Sequence, residues 1–251
     1  GSDDASLIGA VNSKISSSKL GAILGSSGSK VIAGDLCLII GGQNQKIQFP
    51  FDNKGIANAI FGGSSNKITA SSDDINNSAI VGGINNLITR QGAGSIFTGI
   101  IVGGRNNTIK DGFDSIIVGG FLNDVSSSEA AIIGGTNNEV LHNGSVIIGM
   151  ENKTSDAINT VYVENLNIDG HITASGNISS SGAIQGTSLT IDDITIDGST
   201  ITDGGNFTID VGNQITIDSD GGLIHFSDNN TLMARINNSG ILSSNHITAS
   251  G

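Results

Sequence analysis

Four histidines (His142, His171, His225, His246), one cysteine (Cys37) and paired aspartates are the residues of this chain that could do chemistry. The histidines never fall as His-x-His or at i, i+4 spacing, so the spacing builds no metal site. A threefold axis could gather three copies of His171, but a hydrogen-bonded or solvated ring is the better account. His171 is first a repeat feature, because His171-Ile-Thr-Ala-Ser-Gly176 recurs as His246-Ile-Thr-Ala-Ser-Gly251. Asp73-Asp74 and Asp192-Asp193 offer the two carboxylates that glycoside hydrolysis uses at ~5–9 Å. As turn residues they read better as solvated carboxylates. Ring-stacking material is also thin, with one Tyr, no Trp and eight Phe. Asp203-Gly-Gly-Asn-Phe and Asp220-Gly-Gly-Leu-Ile lack the third Gly of a calcium-binding nonapeptide repeat. No Gly-Gly corner is followed by Lys-Ser/Thr as a phosphate loop requires. Cys37, alone, can form neither an internal disulfide nor a thiolate cluster, and reads as a small buried residue beside Leu38. No catalytic, cofactor-binding or metal residue is assigned, no cofactor is implied, no receptor-binding residue is identifiable, and the chain is expected not to be an enzyme.

Composition narrows the class of partner. A formal charge of -12 disfavours nucleic acid and anionic membrane surfaces. No run of 18 or more apolar residues exists, so no membrane insertion is expected. The polar start Gly1-Ser2-Asp3-Asp4 is unlike a secretory signal, and the chain reads as a piece of a longer protein. Only 4% of residues are aromatic and 14% charged, while 37 are Gly, so there is little bulk to fill a broad core.

What must position any site is a repeat. Two apolar residues, Gly, a small residue, two polar residues and a further apolar residue recur, most clearly in Ala79-Ile-Val-Gly-Gly-Ile-Asn-Asn-Leu-Ile88 and Ala131-Ile-Ile-Gly-Gly-Thr-Asn-Asn-Glu-Val140. The register glycines are Gly9, Gly25, Gly41, Gly62, Gly82, Gly103, Gly119, Gly134 and Gly149, at spacings of 15–21 residues. Both preceding positions are apolar in all nine copies. The sixth following position is Ile or Val in eight and fails only at Ser155. β-Branched residues beside Gly-Gly and Asn-Asn predict short strands broken by tight turns, with Gly and Asn taking the positive φ. The period is too short for helical hairpins, so each copy is one coil of a parallel β-solenoid. Stacked Asn44, Asn85, Asn106, Asn137 and Asn152 are expected to form amide ladders. The longer coils should bulge at Phe49-Pro-Phe-Asp-Asn-Lys54, Ser71-Ser-Asp-Asp-Ile-Asn-Asn77 and Arg90-Gln-Gly-Ala-Gly94.

A coil this short encloses little apolar area, and its gain barely meets the backbone entropy of ordering it. Runs such as Leu38 to Ile40, Ile100 to Val102 and Ile116 to Val118 are apolar on both strand faces. One face fills the coil and the other wants a second surface, so a parallel homotrimer is inferred. From residue 156 the rhythm changes to Leu189-Thr-Ile-Asp192, Ile194-Thr-Ile-Asp197, Phe207-Thr-Ile-Asp210 and Ile215-Thr-Ile-Asp218. Strands so short cannot close a core singly. Three chains sharing Ile191, Ile196, Ile209 and Ile217 can. The fold class expected is therefore all-β: a homotrimeric parallel β-roll over 1–155, then an intertwined triple-stranded β-helix or β-prism shaft over 156–251 that runs on past the given chain.

The coil phrase Ala79-Ile-Val-Gly-Gly-Ile-Asn-Asn resembles the left-handed β-roll heads of trimeric autotransporter adhesins. The stretch from His171 to Ile191, with Asp218-Ser-Asp-Gly-Gly-Leu-Ile-His-Phe-Ser-Asp228, is similar to fibre and structural proteins of tailed phages, especially marine ones. That resemblance implies a homotrimeric virion fibre, with other virion proteins as partners and attachment to a host cell-surface glycan or protein, through the bulges near Phe51 and Phe97. The coil handedness follows from the resemblance alone. A bacterial trimeric adhesin passenger at the cell surface is the alternative, and a polysaccharide-degrading tailspike using Asp73 and Asp74 is the third.

Overall fold

A computed structural model of the chain describes residues 4–49, 55–71, 75–91 and 96–181, positions 212 and 214, and the strand residues 223–228, 231–237 and 240–243. The chain divides into two units, Gly1–Asn177 and Ile178–Gly251.

The first unit is an all-β parallel solenoid of about nine turns. Each turn opens on a short strand such as Ala79–Val81, where β-branched residues favour extended backbone. Two glycines then end it, Gly82 at φ 71° and Gly83 at φ 78°. An added Cβ at Gly82 would meet nothing, whereas at Gly83 it would stand 2.5 Å from the Gly104 carbonyl oxygen of the next turn. Gly82 is thus required for its φ alone, and Gly83 also for the close stacking of coils. Two residues later Asn85 turns the chain again at φ 56°, and the second strand, Leu87–Arg90, begins. Asn44, Asn106, Asn137 and Asn152 share that positive φ, as the sequence suggests, and Ser65 and Leu122 adopt it too.

Stacking produces two sheets. The first strands of the turns, from Ser6–Ile8 to Val161–Val163, form a ten-strand parallel sheet. Its last strand follows residue 155, where the glycine phrase ends. The second strands, from Lys14–Ser16 to Glu139–Val140, form an eight-strand parallel sheet. Equivalent repeat positions pair without slip: Ile80 with Ile60 and Ile101, Ile88 with Ile68 and Ile109. At ~4.8 Å per strand the longer sheet runs roughly 43 Å.

One residue per strand points inward. Ile23, Ile39, Ile60, Ile80, Ile101, Ile117, Ile132 and Ile147 line one wall, and Val31, Ile47, Ile68, Ile88, Ile109, Val125 and Val140 the other, all at 0% exposure. Phe49 is the large exception. Its ring occupies the space beside Gly34 and Gly55, where a Cβ on either glycine would collide with it.

The polar half of the interior is a column of amides one residue beyond the positive-φ corner. Asn66, Asn86, Asn107, Asn123 and Asn138 are fully buried. The Oδ1 of each accepts the backbone N–H of its successor, at 2.9 Å from Asn86 to Asn66 and 3.0 Å from Asn107 to Asn86. The same 3.0 Å bond recurs from Asn123 to Asn107, Asn138 to Asn123 and Lys153 to Asn138. The Nδ2 of Asn66, Asn86, Asn107 and Asn123 donates to glycine carbonyls of the following corner, as Asn86 does to Gly103 (3.0 Å) and Gly104 (3.3 Å), and that of Asn138 donates to the Met150 carbonyl at 2.6 Å. Gln45 and Ser29 continue the column downward with side-chain oxygens accepting from Asn66 and Gln45. The ladder expected at the preceding position is partial: Asn85 bonds Asn106 and Asn137 bonds Asn152, each at 2.8 Å on the exposed surface.

The three longer turns depart from the ends of eight-strand-sheet strands, Lys46–Gln48, Lys67–Ala70 and Leu87–Arg90. Most of each insertion (50–54, 72–74, 92–95) lies outside the described residues. On return the chain forms a short third side, where Ile75–Asn76 pairs with Ile96–Phe97. At one departure point Arg90 is buried and pairs with Asp111 at 3.3 Å, and Asp111 Oδ1 also accepts the Gln91 N–H at 2.9 Å.

In the second unit the described residues form an antiparallel meander of Leu223–Asp228, Thr231–Asn237 and Gly240–Ser243. The expected Thr-Ile-Asp strands, with Ile191, Ile196, Ile209 and Ile217, lie outside the described residues.

Two paired substitutions test this construction by denaturant unfolding. Asn107→Ala strands the Asn123 N–H and two glycine carbonyls in the interior and should cost about 2–4 kcal/mol, whereas Asn106→Ala, on the surface, should cost about 1 kcal/mol. Gly83→Ala should destabilise by clearly more than Gly82→Ala, since only the former adds a backbone collision to the φ strain. Equal losses within either pair would contradict the geometry.

Candidate interaction surface

Alternation along three-residue strands fixes which side chains are left outside. In the ten-strand sheet the middle residue faces in, so the first and third face out. The third positions are the apolar residues just before each register glycine. Ile40, Phe61, Val81, Val102, Val118, Ile133 and Ile148 form a column down the sheet, each 37–44% exposed, and Ile8 at the first turn is 61% exposed. The first positions (Leu38, Ala59, Ala79, Ile100, Ile116, Ala131 and Val146) are half-buried beside them. No charged side chain interrupts either column from Ala22 to Val163. In the early turns exposed Leu20, Leu36 and Ile56 carry the apolar character round the adjoining corner. A contiguous apolar strip of this length exceeds what isolated soluble domains ordinarily leave to water.

The outward face of the eight-strand sheet differs in kind. Its outer positions are Lys, Ser, Gln, Thr, Asp and Glu, with few aliphatics. Burial raises the Asp124 carboxyl above its ordinary range despite a hydrogen bond from Ser126, and Glu139 one strand away adds to the rise. At the end of the solenoid Tyr162 takes the inward position next to Ile147. Its hydroxyl donates to Asp156 Oδ1 at 2.7 Å and accepts the Asp156 and Ala157 N–H groups, while Lys153 Nζ sits 4.4 Å from the ring centroid. The Tyr162 hydroxyl, and then Lys153, lower the Asp156 pKa.

Among the described residues of the solenoid, those singled out from sequence form no common site. Cys37 is buried, and its Sγ donates weakly to the Gly55 carbonyl at 3.7 Å. Its thiol is pushed up to about 11, by burial first and by Asp35 secondarily, against hydrogen bonds from Asn58. His142 Nδ1 lies 3.1 Å from Ser155 Oγ, in the region where the glycine phrase gives out. His171 is exposed. His225 stands on Leu223–Asp228, opposite Arg235 in the pairing register. Phe97 is on the short strand paired with Ile75–Asn76. Phe51, Asp73, Asp74, Asp192, Asp193, Asp203, Asp220 and His246 lie outside the described residues. Among the described residues no three His, Cys, Asp or Glu side chains stand together to hold a metal ion. The two-sided apolar strands were readable; the polarity of the opposite sheet, which makes the apolar face singular, was not extracted from the repeat.

Cys37 provides a test of the buried interior. In the folded chain a thiol reagent at pH 8 should label it at least ~100-fold more slowly than in denaturant, since only the thiolate reacts and it is withheld until about pH 11. The raised pKa also fixes a sign: its contribution to stability is complete below the unfolded thiol pKa and is lost as pH climbs toward about 11. Rapid native labelling would contradict the burial.

No protein-family model and no curated protein matches this chain. Among solved structures, the polySia specific acetyltransferase NeuO aligns with 13% identity over 67% of this chain and 89% of its own, at a TM-score of 0.23. That likeness is too low to bear on the chemistry of this surface.

Proposed function

We propose that this chain is a non-enzymatic structural segment of a homotrimeric fibre, of the tailed-phage type, that serves in attachment to a host surface. The observation that carries the reading is the uncovered apolar face of the ten-strand sheet, with Val81, Val102, Val118 and Ile133 in line. Most turns enclose one aliphatic side chain per sheet and leave another exposed on the ten-strand sheet. Three copies placed in parallel turn those columns onto a common axis, and the polar eight-strand sheets then form the exterior. Parallel stacking gives every row of one copy an equivalent row in its neighbours, so ridge meets ridge along the whole length. The second unit, through the Thr-Ile-Asp segments, continues the assembly as the intertwined shaft. The virion assignment draws on the wording of the segment from His171 to Ile191 and of Asp218 to Asp228, and not on the solenoid, which would serve a bacterial adhesin equally well.

Size-exclusion chromatography with light scattering tests the assembly on the whole chain. The expected mass is three times 25.3 kDa. Val118→Asp with Ile133→Asp should weaken association at least ~100-fold, about 2.8 kcal/mol, while Thr108→Asp on the opposite sheet leaves the mass unchanged. A wild-type chain that runs as a stable single copy would overturn the proposal.

A further inference from the structure

The eight-strand sheet carries an ordered column at the first outward position of its strands. From the first turn it runs Lys14, Lys30, Lys46, Lys67, Leu87, Thr108, Asp124, Glu139, each residue paired directly with the next. Strand spacing places these rows ~4.8 Å apart. A chain with only 11 Lys and Arg and a charge of -12 has put four of its cations in four successive rows. Like charges directly opposite one another destabilise a sheet. Among the described residues no carboxylate forms an ion pair with any of the four. Lys14, Lys30 and Lys67 are exposed and Lys46 half-buried. The flanking columns are free of acid and polar in three rows of four: Val11, Ser27, Gln43 and Ser64 on the corner side, Ser16, Ile32, Gln48 and Thr69 on the other.

We propose that Lys14, Lys30, Lys46 and Lys67 form a binding strip for an acidic polysaccharide carrying one carboxylate per sugar, laid along the stacking direction. A pyranose unit is about as long as one strand spacing, so one carboxylate per unit gives the polymer the same linear charge density as the lysine column. The sugar hydroxyls find the Ser and Gln columns on either side. Duplex nucleic acid fits less well, since its phosphates follow every ~3.4 Å along a strand and its denser charge is repelled by the acidic remainder of the chain. The lysine run stops at Leu87, and the column turns acidic at Asp124 and Glu139, which restricts the strip to about four sugars. The strip lies on the sheet opposite the apolar face and stays open when that face is covered. This inference rests on the attachment role proposed above and names its ligand class. Its readout, retention on a glycan, is separate from the mass that tests the assembly.

The experiment measures binding of the whole chain to immobilised polygalacturonate at low ionic strength, with neutral dextran and a charge-matched oligonucleotide as comparison surfaces. Wild type should be retained on polygalacturonate, released by salt, and pass through dextran. Lys30→Gln with Lys46→Gln should weaken retention at least ~tenfold, and because repulsion is relieved the variant should melt no lower than wild type. Lys19→Gln with Lys110→Gln removes the same charge outside the column and should stay within about twofold of wild type. The proposal is overturned if wild type is not retained, if both double variants lose binding alike, or if the oligonucleotide binds more tightly. It is also overturned if the lysines instead pair with a second copy, seen as a low-salt rise in mass abolished by Asp124→Asn with Glu139→Gln.

Discussion

The structure depends on how little a short coil can enclose. A strand of three residues sends one side chain inward and two outward, and a turn of about sixteen residues has only two such strands of consequence. The interior is therefore a double file of single Ile and Val residues. It is narrow, and the buried amide column runs beside it. Most apolar residues beyond those two files face outward, and the unbroken columns of them lie on the ten-strand sheet, with Ile32 and Leu87 the aliphatics outward on the other. Much else about the molecule follows from that imbalance: a face that seeks cover, and an opposite face free to carry polar and charged columns.

A narrow apolar interior also cannot hold the register of stacked coils by packing alone, because Ile on Ile is nearly as good one row up or down. The buried amides do so. Each of Asn66, Asn86, Asn107, Asn123 and Asn138 has an acceptor for the next coil's N–H and a donor for the next corner's carbonyls, so a slip would orphan several buried groups at once. The paired glycines serve the same end from the backbone side: the first sets the corner, and the second lets the next coil approach. Directional bonds set the stacking, and burial stabilises it.

Much of the fold was legible because it repeats. The apolar pair, the register glycine and the sixth following residue mark the corner and the two inward positions, and the structure has them there. The Asn-Asn dipeptide was harder. Period and composition do not say which of two adjacent amides turns inward, and the corner residue attracted the ladder that belongs chiefly to its neighbour. The run of Asn66, Asn86, Asn107, Asn123 and Asn138, preceded by Gln45 and Ser29, was a sufficient signal, since only an inward position gains from an unbroken amide column. The lysine column was equally readable, at the same 16, 16 and 21 spacings as the glycines, but a search organised around catalytic and metal constellations passes over it. Of the chemistry-bearing residues that were singled out, Cys37 and His142 are described within the solenoid, and no constraint of the repeat brings those two to one row. The Thr-Ile-Asp region offered alternation without a long period, which specifies strands and not their partners.

Electron cryo-microscopy of the purified assembly tests the central claim most directly, by showing what lies against the ten-strand sheet. The account predicts three parallel solenoids with threefold symmetry, the Val81, Val102, Val118 and Ile133 columns turned to the shared axis and the lysine columns outermost. A map in which the apolar columns face solvent, or in which copies meet through the eight-strand sheet, would contradict it.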